Sequence, residues 1–490
     1  MRVDDELTET QRRRHRFKRI RRIVLVTVSA LASIALAVGY VFADGFGLVD
    51  GALTFAPVDE PRAEAPRTSY RSATLAADAD LTRMIDAGKA SAAIDTLART
   101  KGVGDGISVI VLQPDGTTVA ASAAGTAREP ASTMKTLTAL AAASTLDMGS
   151  TFTTSTYLVH EQDGADTLIL KGDGDMLLGA GASDPHHVNG RAGLGTLAAD
   201  TAKALAKRGI TNVHVAYDDT LFGEERHPVH IAENNPDNLY YTAVSSIAVD
   251  GGRMRGGAAA ADPDMFADYP TLSQTPARDA ATVFAARLTE AGIGVDNADK
   301  PRQAQVPEHR TPLASVTSAT LSAVMRFMLQ HSDNTLAEEF GRLLALHANT
   351  GNSPAGAVKA VEGRLKELGV PTDSLVMADC SGLSPGSRVS VTTLADVQLR
   401  NIEVGVAPAA AEGLSVPGLV GTAATRLAKP SAAGLMRVKT GSLGTVTSMA
   451  GNISRTNGGV AVFAVIINKP DDMTAARDAI DAFVCTLAEL

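Results

Sequence analysis

The chain has 490 residues, 45% of them hydrophobic and 20% charged, with a formal net charge of −9 at pH 7. That length exceeds what one hydrophobic core serves and predicts at least two folded units, while the apolar share excludes an intrinsically disordered chain. Beyond the first residues nothing suggests a basic face, so no nucleic-acid partner is expected.

Residues 1–22 form a basic head, with nine Arg and Lys against four Asp and Glu. Residues 23–43 then run uncharged and mostly apolar for 21 positions, enough for one helical passage through a bilayer. The arginines ahead of this run predict a cytoplasmic N-terminus and an exported remainder. An uncleaved single-pass anchor in the cell membrane is the expectation. The alternative is secretion after cleavage at Val41-Phe42-Ala43, which satisfies a signal-peptide site. Residues 44–75, rich in Pro, Ala and charged side chains, read as a linker.

Residues 107–112 read as a strand, Pro114-Asp115-Gly116 as a hairpin turn, and 117–123 as the returning strand. A helix is predicted over 132–146, preceded by Pro130. Residues 150–308 alternate short strands with Gly/Asp turns and two Ala-rich helical stretches, near 193–208 and 276–292. Helices are expected over 312–346 and 354–369. Strands over 435–439, 447–453 and 460–468 lead to a closing helix over 473–489. Helices at both ends around antiparallel strands imply an α/β sandwich in which the first and last segments meet. Cys380 and Cys485 are compatible with one extracytoplasmic disulfide, but two buried thiols are the expectation.

Three short motifs carry the chemistry. Ser132-Thr133-Met134-Lys135 puts a hydroxyl and an amine three residues apart, on one helical face. Ser332-Asp333-Asn334 falls on a turn between helical stretches, and Lys439-Thr440-Gly441-Ser442 ends a strand. Each is unremarkable alone; their joint occurrence in this order is the signal. A serine hydroxyl attacks only when a neighbouring base takes its proton. Lys135 serves as that base only if burial and a nearby cation, naturally Lys439, pull its pKa well below about 10.4. Ser332 is placed to bridge the two lysines as a proton relay. Asn334 would hold a substrate amide, and Lys439 with Thr440 and Ser442 a free C-terminal carboxylate. Backbone N–H groups of Ser132 and Ser442 would form an oxyanion hole. Gly441 would keep the strand clear for substrate.

On these motifs the chain resembles the class C, low-molecular-mass penicillin-binding proteins, the D-alanyl-D-alanine carboxypeptidase/endopeptidase family, particularly its actinobacterial members. Residues 130–135, 168–175, 182–185, 241–253, 331–339, 381–384 and 450–453 all resemble segments of that family. The resemblance covers residues 75–490. It implies a transpeptidase/β-lactamase-like domain over 76–155 and 309–490, split by an inserted α+β region over 156–308. It also implies peptidoglycan stem peptides as substrates, β-lactams as covalent inhibitors of Ser132, and no cofactor. Cys380 stands where the family usually has Gly, and Ser442 where Thr is common.

The Gly172-Asp-Gly174 stretch lacks the Lys-Ser/Thr of a phosphate loop and reads as a turn. His186, His187, His227 and His230 read as loop residues, and no metal is expected. A non-catalytic wall-binding protein that keeps the fold is the rival reading. The intact Ser132, Lys135, Ser332, Asn334, Lys439 and Thr440 argue against it.

Overall fold

The computed structural model describes residues 3–45, 82–161, 166–256, 262–265, 269–427 and 433–490. Apart from its first two positions, the expected linker lies outside the described residues. The chain divides into two units, Met1–Asp78 and Ala79–Leu490. In the first, α1 (Val3–Gly45) contains a segment, Ile20–Asp44, long and apolar enough to cross a membrane. Its apolar side chains, Leu25, Leu31 and Leu36 among them, are exposed.

The second unit opens with α2 (Ala87–Arg99), β1 (Ile107–Leu112), β2 (Thr118–Ser122) and α3 (Lys135–Ala143). A region of mixed structure follows: β3 (Thr151–Val159), β4 (Thr167–Gly172), β5 (Asp175–Leu178), α4 (Leu194–Ala206), β6 (Asn212–Asp218), β7 (Ile247–Val249), α5 (Pro276–Glu290), β8 (Gly294–Val295), β9 (Arg302–Gln303) and β10 (Ala314–Thr320). Helices come next: α6 (Leu321–His331), α7 (Asn334–Ala348), α8 (Pro354–Glu367), α9 (Val391–Ile402) and α10 (Pro408–Glu412). The hairpins β11 (Met436–Leu443), β12 (Val446–Ser454) and β13 (Val460–Asn468) lead to α11 (Met473–Glu489).

One antiparallel sheet has the order β11-β12-β13-β1-β2, so strands from the two ends of the unit pair at its centre, with Val109 opposite Val465. It is buried on both faces, and the two-residue period of a strand divides its side chains between two cores. Ile110, Val462, Ala464 and Ile466 face the core shared with α3 and α6–α9. Val109, Val111, Phe463, Val465 and Ile467 face the core shared with α2 and α11. A second sheet, ordered β10-β3-β4-β6-β8 with β9 also on β6, packs α4 and α5 around a third core. The strands of that sheet run from Thr151 to Thr320, so the expected insertion limits cut β3 at 156 and stop short of β10.

Two local readings change. Residues 314–320 form β10, not helix, because their alternating Ser, Val and Thr side chains pair antiparallel with β3. The predicted helix at 132 begins as a 3₁₀ turn, Ala131–Met134, with the α-helix starting only at Lys135. Ala131, the first residue of that turn, sits at φ 49, a left-handed conformation that an α-helix does not contain.

Cys380 lies in one core cluster and Cys485 in another, so they do not pair with each other. Cys380 fits because α7 has a glycine beneath it: a Cβ on Gly341 would overlap Cys380 Sγ. Gly341→Ala is therefore expected to cost about 1–3 kcal/mol in chemical denaturation. Adding Cys380→Gly should recover a large part, and equal losses with and without Cys380 would contradict this packing.

Candidate active site

The first motif is held at the middle of the molecule. Lys135–Ala142 are all buried, and the turn before them is tied to β12 and β13. Thr133 Oγ1 and Ser448 Oγ both donate to the Pro130 carbonyl, at 2.8 and 2.6 Å. Asn468 receives the Glu129 N–H on its Oδ1 and donates its Nδ2 to the Glu129 carbonyl. The turn that carries Ser132 is thereby fixed before any ligand arrives.

The second motif lies between α6 and α7. Ser332 adopts the left-handed conformation, φ 57, that ends α6, and Asp333 caps α7 by accepting the Leu336 N–H. The Arg253 guanidinium donates to the other Asp333 oxygen at 2.8 Å, in a pair whose side chains are 7% and 11% exposed. The third motif lies on β11, the edge strand of the main sheet. Val438 exchanges both main-chain bonds with Ser415, on the side away from β12. The alternation of a strand puts the main-chain groups of Thr440 and Ser442 on that same open edge.

These segments meet around two buried amines. Lys135 Nζ donates to Ser132 Oγ at 2.9 Å, to Asn334 Oδ1 at 2.7 Å and to the Ser381 carbonyl at 2.9 Å. Lys439 Nζ donates to Ser332 Oγ and to the Thr440 carbonyl, both at 2.9 Å. Both lysines are 0% exposed. Burial pulls Lys135 down to about 8, against the opposing pull of the Asp379 and Asp333 carboxylates. Burial also takes Lys439 well below its ordinary value, and the charge of Lys135 adds to that shift.

The structure brings all eight predicted residues to one place and alters the reading of three. In this state the Ser332 hydroxyl is bonded to one of the two amines it was expected to bridge, Lys439. Asn334 is engaged at both ends, with Nδ2 donating to the Tyr240 carbonyl at 2.8 Å. Gly441 is required from beneath rather than from the substrate side. A Cβ there would overlap Ser448 Oγ and stand 2.8 Å from the Pro130 carbonyl, forcing β11 away from the Ser132 turn.

A cleft of about 550 Å³ opens over Ser132, Ser332, Asn334, Thr440 and Ser442. Tyr240 and Tyr269 form an edge-to-face pair on its wall, and Thr422 reaches Thr440 across 2.7 Å. Sequence reasoning missed these residues, as it missed Arg253 and Asp379. Only Asp379 carried a signal, as an aspartate opening a Ser-Gly turn. The histidines singled out as loop residues are not gathered: His187 bonds Asp184 and His230 bonds Glu233. Among the described residues no group of three or more His, Cys, Asp or Glu is arranged to hold a metal ion.

A serine bonded to a buried lysine, beside a second lysine on a sheet-edge strand, defines the penicillin-recognising serine acyl-transfer enzymes. Comparison with known proteins narrows the class. The chain matches the D-Ala-D-Ala carboxypeptidase 3 (S13) family over residues 90–268 and 257–490, and it belongs to that family. It is 30% identical over 374 residues to carboxypeptidase DacB of Mycolicibacterium smegmatis, a match covering 73% of this chain and 75% of that one. A carboxypeptidase of Mycobacterium tuberculosis is also 30% identical, over 73% of this chain and 74% of its own. Among solved structures, penicillin binding protein 4 of Haemophilus influenzae shares the fold, with a TM-score of 0.64 at 19% identity over 82% of this chain and 98% of that one. The protein is thus a serine-type D-Ala-D-Ala carboxypeptidase with the α/β fold of penicillin-binding proteins.

The Arg253–Asp333 pair is testable independently of the chemistry. Arg253→Met leaves a buried carboxylate without its strongest partner and is expected to cost about 3 kcal/mol in thermal or denaturant unfolding. A loss below about 0.5 kcal/mol would show that the pair does not hold the second motif in place.

Proposed function

We propose that Ser132 is the nucleophile and Lys135 its general base in the hydrolysis of the terminal D-Ala-D-Ala bond of peptidoglycan stem peptides. The observation that carries this reading is the 2.9 Å bond between Lys135 Nζ and Ser132 Oγ in a site where burial holds Lys135 at about 8. At that value a useful fraction of Lys135 is neutral near physiological pH, and a neutral amine takes the hydroxyl proton as the oxygen attacks.

The scissile carbonyl then lies against the turn that carries Ser132. Main-chain N–H groups of Ser132 and of Ser442, on the open edge of β11, stabilise the oxyanion. Asn334 exchanges its bond to the Tyr240 carbonyl for one to the substrate's amide carbonyl. Lys439, Thr440 and Ser442 receive the terminal carboxylate, which selects a chain end. The proton held by Lys135 must reach the departing D-alanine amine, and Ser332, bonded to Lys439, is the relay for it. Water then releases the acyl group from Ser132. β-Lactams, whose strained amide mimics the substrate, acylate the same oxygen. Cleavage of peptide cross-links is the same chemistry with a longer leaving group.

For placement in the cell, α1 anchors the enzyme. The basic residues through Arg22 stay in the cytoplasm, residues 23–43 within the apolar segment Ile20–Asp44 cross the membrane, and the catalytic unit works on the outer face. Protease added to intact cells should remove the catalytic unit while an N-terminal epitope stays protected and sediments with membranes. Recovery of the catalytic unit as soluble protein lacking that epitope would instead establish cleavage after Ala43.

The chemical reading predicts D-alanine release from a pentapeptide and a penicillin adduct, visible in the intact mass, on the peptide containing Ser132. Ser132→Ala abolishes both, and Lys135→Ala slows acylation by at least about 1000-fold. Because Lys135 must be neutral to act, kcat/KM should fall as pH drops below about 8 and level off above it. An adduct on another residue, or wild-type acylation by Lys135→Ala, would overturn the assignment.

A further inference from the structure

Among the buried ionisable side chains that take no part in the acyl-transfer steps, one shapes a loop against the site. Asp379, between α8 and α9, is 0% exposed. Its carboxylate accepts five hydrogen bonds from the loop that follows it. Oδ1 takes the Gly382 N–H at 2.6 Å and the Ser381 N–H at 3.3 Å. Oδ2 takes the Ser381 hydroxyl at 2.6 Å, the Ser384 N–H at 3.1 Å and the Leu383 N–H at 3.2 Å. Four successive main-chain donors converging on one carboxylate is an anion nest, and it gives these residues a curl that no helix or strand imposes.

The curl matters for what it presents. The Ser381 carbonyl at its start accepts the 2.9 Å bond from Lys135 Nζ. Gly382, at φ 82, lies so close to the Ser132 turn that a Cβ would overlap the Ala131 carbonyl. Gly382 and Leu383 then form part of the cleft floor. Two neighbours pin the base of the loop: Thr138 of α3 donates to the Cys380 carbonyl at 2.7 Å, and Glu338 of α7 accepts the Cys380 N–H at 3.0 Å. The groups that share charge interactions with this carboxylate are Lys135, Glu338, Tyr241 and Cys380, with Arg342 of α7 opposing Glu338.

We propose that Asp379 is the positioning residue for the lysine base: its carboxylate shapes the 381–384 loop so that the Ser381 carbonyl holds Lys135 Nζ against Ser132, and its charge sets how firmly that nitrogen keeps a proton. The geometry supplies the first half, since the carbonyl that orients Lys135 belongs to a residue bonded to Asp379 by both its N–H and its hydroxyl. The second half follows from electrostatics. A negative group buried near an amine favours the ammonium and so opposes the desolvation that favours the free base. Asp379 would keep the lysine near neutrality's edge, where it can both take and return a proton. This inference rests on the roles proposed for Ser132 and Lys135.

The test is the pH profile of penicillin acylation in the full-length protein, read by intact mass. Asp379→Asn removes the charge and keeps the size of the side chain. Its acid limb should move to lower pH by about half a unit or more, with a lower plateau rate. Glu338→Gln perturbs the same loop through the Cys380 N–H and should leave the limb where it is. A limb unmoved in Asp379→Asn, or moved equally in Glu338→Gln, would overturn the proposal and reduce Asp379 to a loop support. Should Asp379→Asn not be recovered folded, Ser381→Ala carries the test. It removes one bond to the carboxylate while leaving the charge and the carbonyl. A loss of about tenfold in acylation supports the proposal, and a rate within twofold of wild type contradicts it. Failure of the underlying reading looks different, because wild-type protein would then form no adduct on Ser132 at all.

Discussion

Two amines buried within one site are the constraint on which the rest of this structure depends. Taking an ammonium out of water costs several kcal/mol, and a second one nearby adds repulsion, so a fold tolerates such a pair only if one or both give up the proton. Among the described residues neither amine has a carboxylate within salt-bridge distance to remove that tension. Lys135 is met by a hydroxyl, an amide oxygen and a main-chain carbonyl, and Lys439 by a hydroxyl and a main-chain carbonyl. Neutral acceptors orient the nitrogens without fixing a charge on them. In the proposed chemistry, the hydroxyl becomes a nucleophile through the surroundings of its neighbour.

The fold is arranged to hold that pair. The central sheet draws its strands from both ends of the catalytic unit, so the first and third motifs are bound through β1, β12 and β13, although over 300 residues separate Ser132 from Lys439. Ser448 on β12, bonded to Pro130, ties the Ser132 turn to the neighbour of the strand that carries Lys439. The second motif comes from the helical layer, and Arg253 locks it to the segment that follows β7. Residues between β6 and β10 therefore reach the site: Tyr240 and Tyr269 form part of the cleft wall, and Arg253 holds Asp333.

Much of this was legible in the sequence, and the reasons differ by element. Strands 107–112 and 460–468 and helix 473–489 agree with the structure because their apolar patterns are long and bounded by turns. That the eight residues would meet was legible because chemistry restricts them: few alternatives to Ser-x-x-Lys put an amine on a hydroxyl. The 3₁₀ entry to Ser132 was not, because Ala131 at positive φ has no sequence signature. Strand β10 was hidden among helix formers because its partner, β3, lies about 160 residues earlier. Gly441 was identified for the wrong reason, since the surface that crowds it comes from Pro130 and Ser448, which no local pattern connects.

Catalysis by this site depends on the protonation state of one nitrogen. The most direct test is an NMR titration of the Lys135 Cε resonance in the full-length enzyme, assigned by its loss in Lys135→Arg. A midpoint well below that of a solvated lysine, near 8, is the predicted result. A midpoint near 10, in the range of a solvated lysine, would mean that the amine stays charged and that something else activates Ser132.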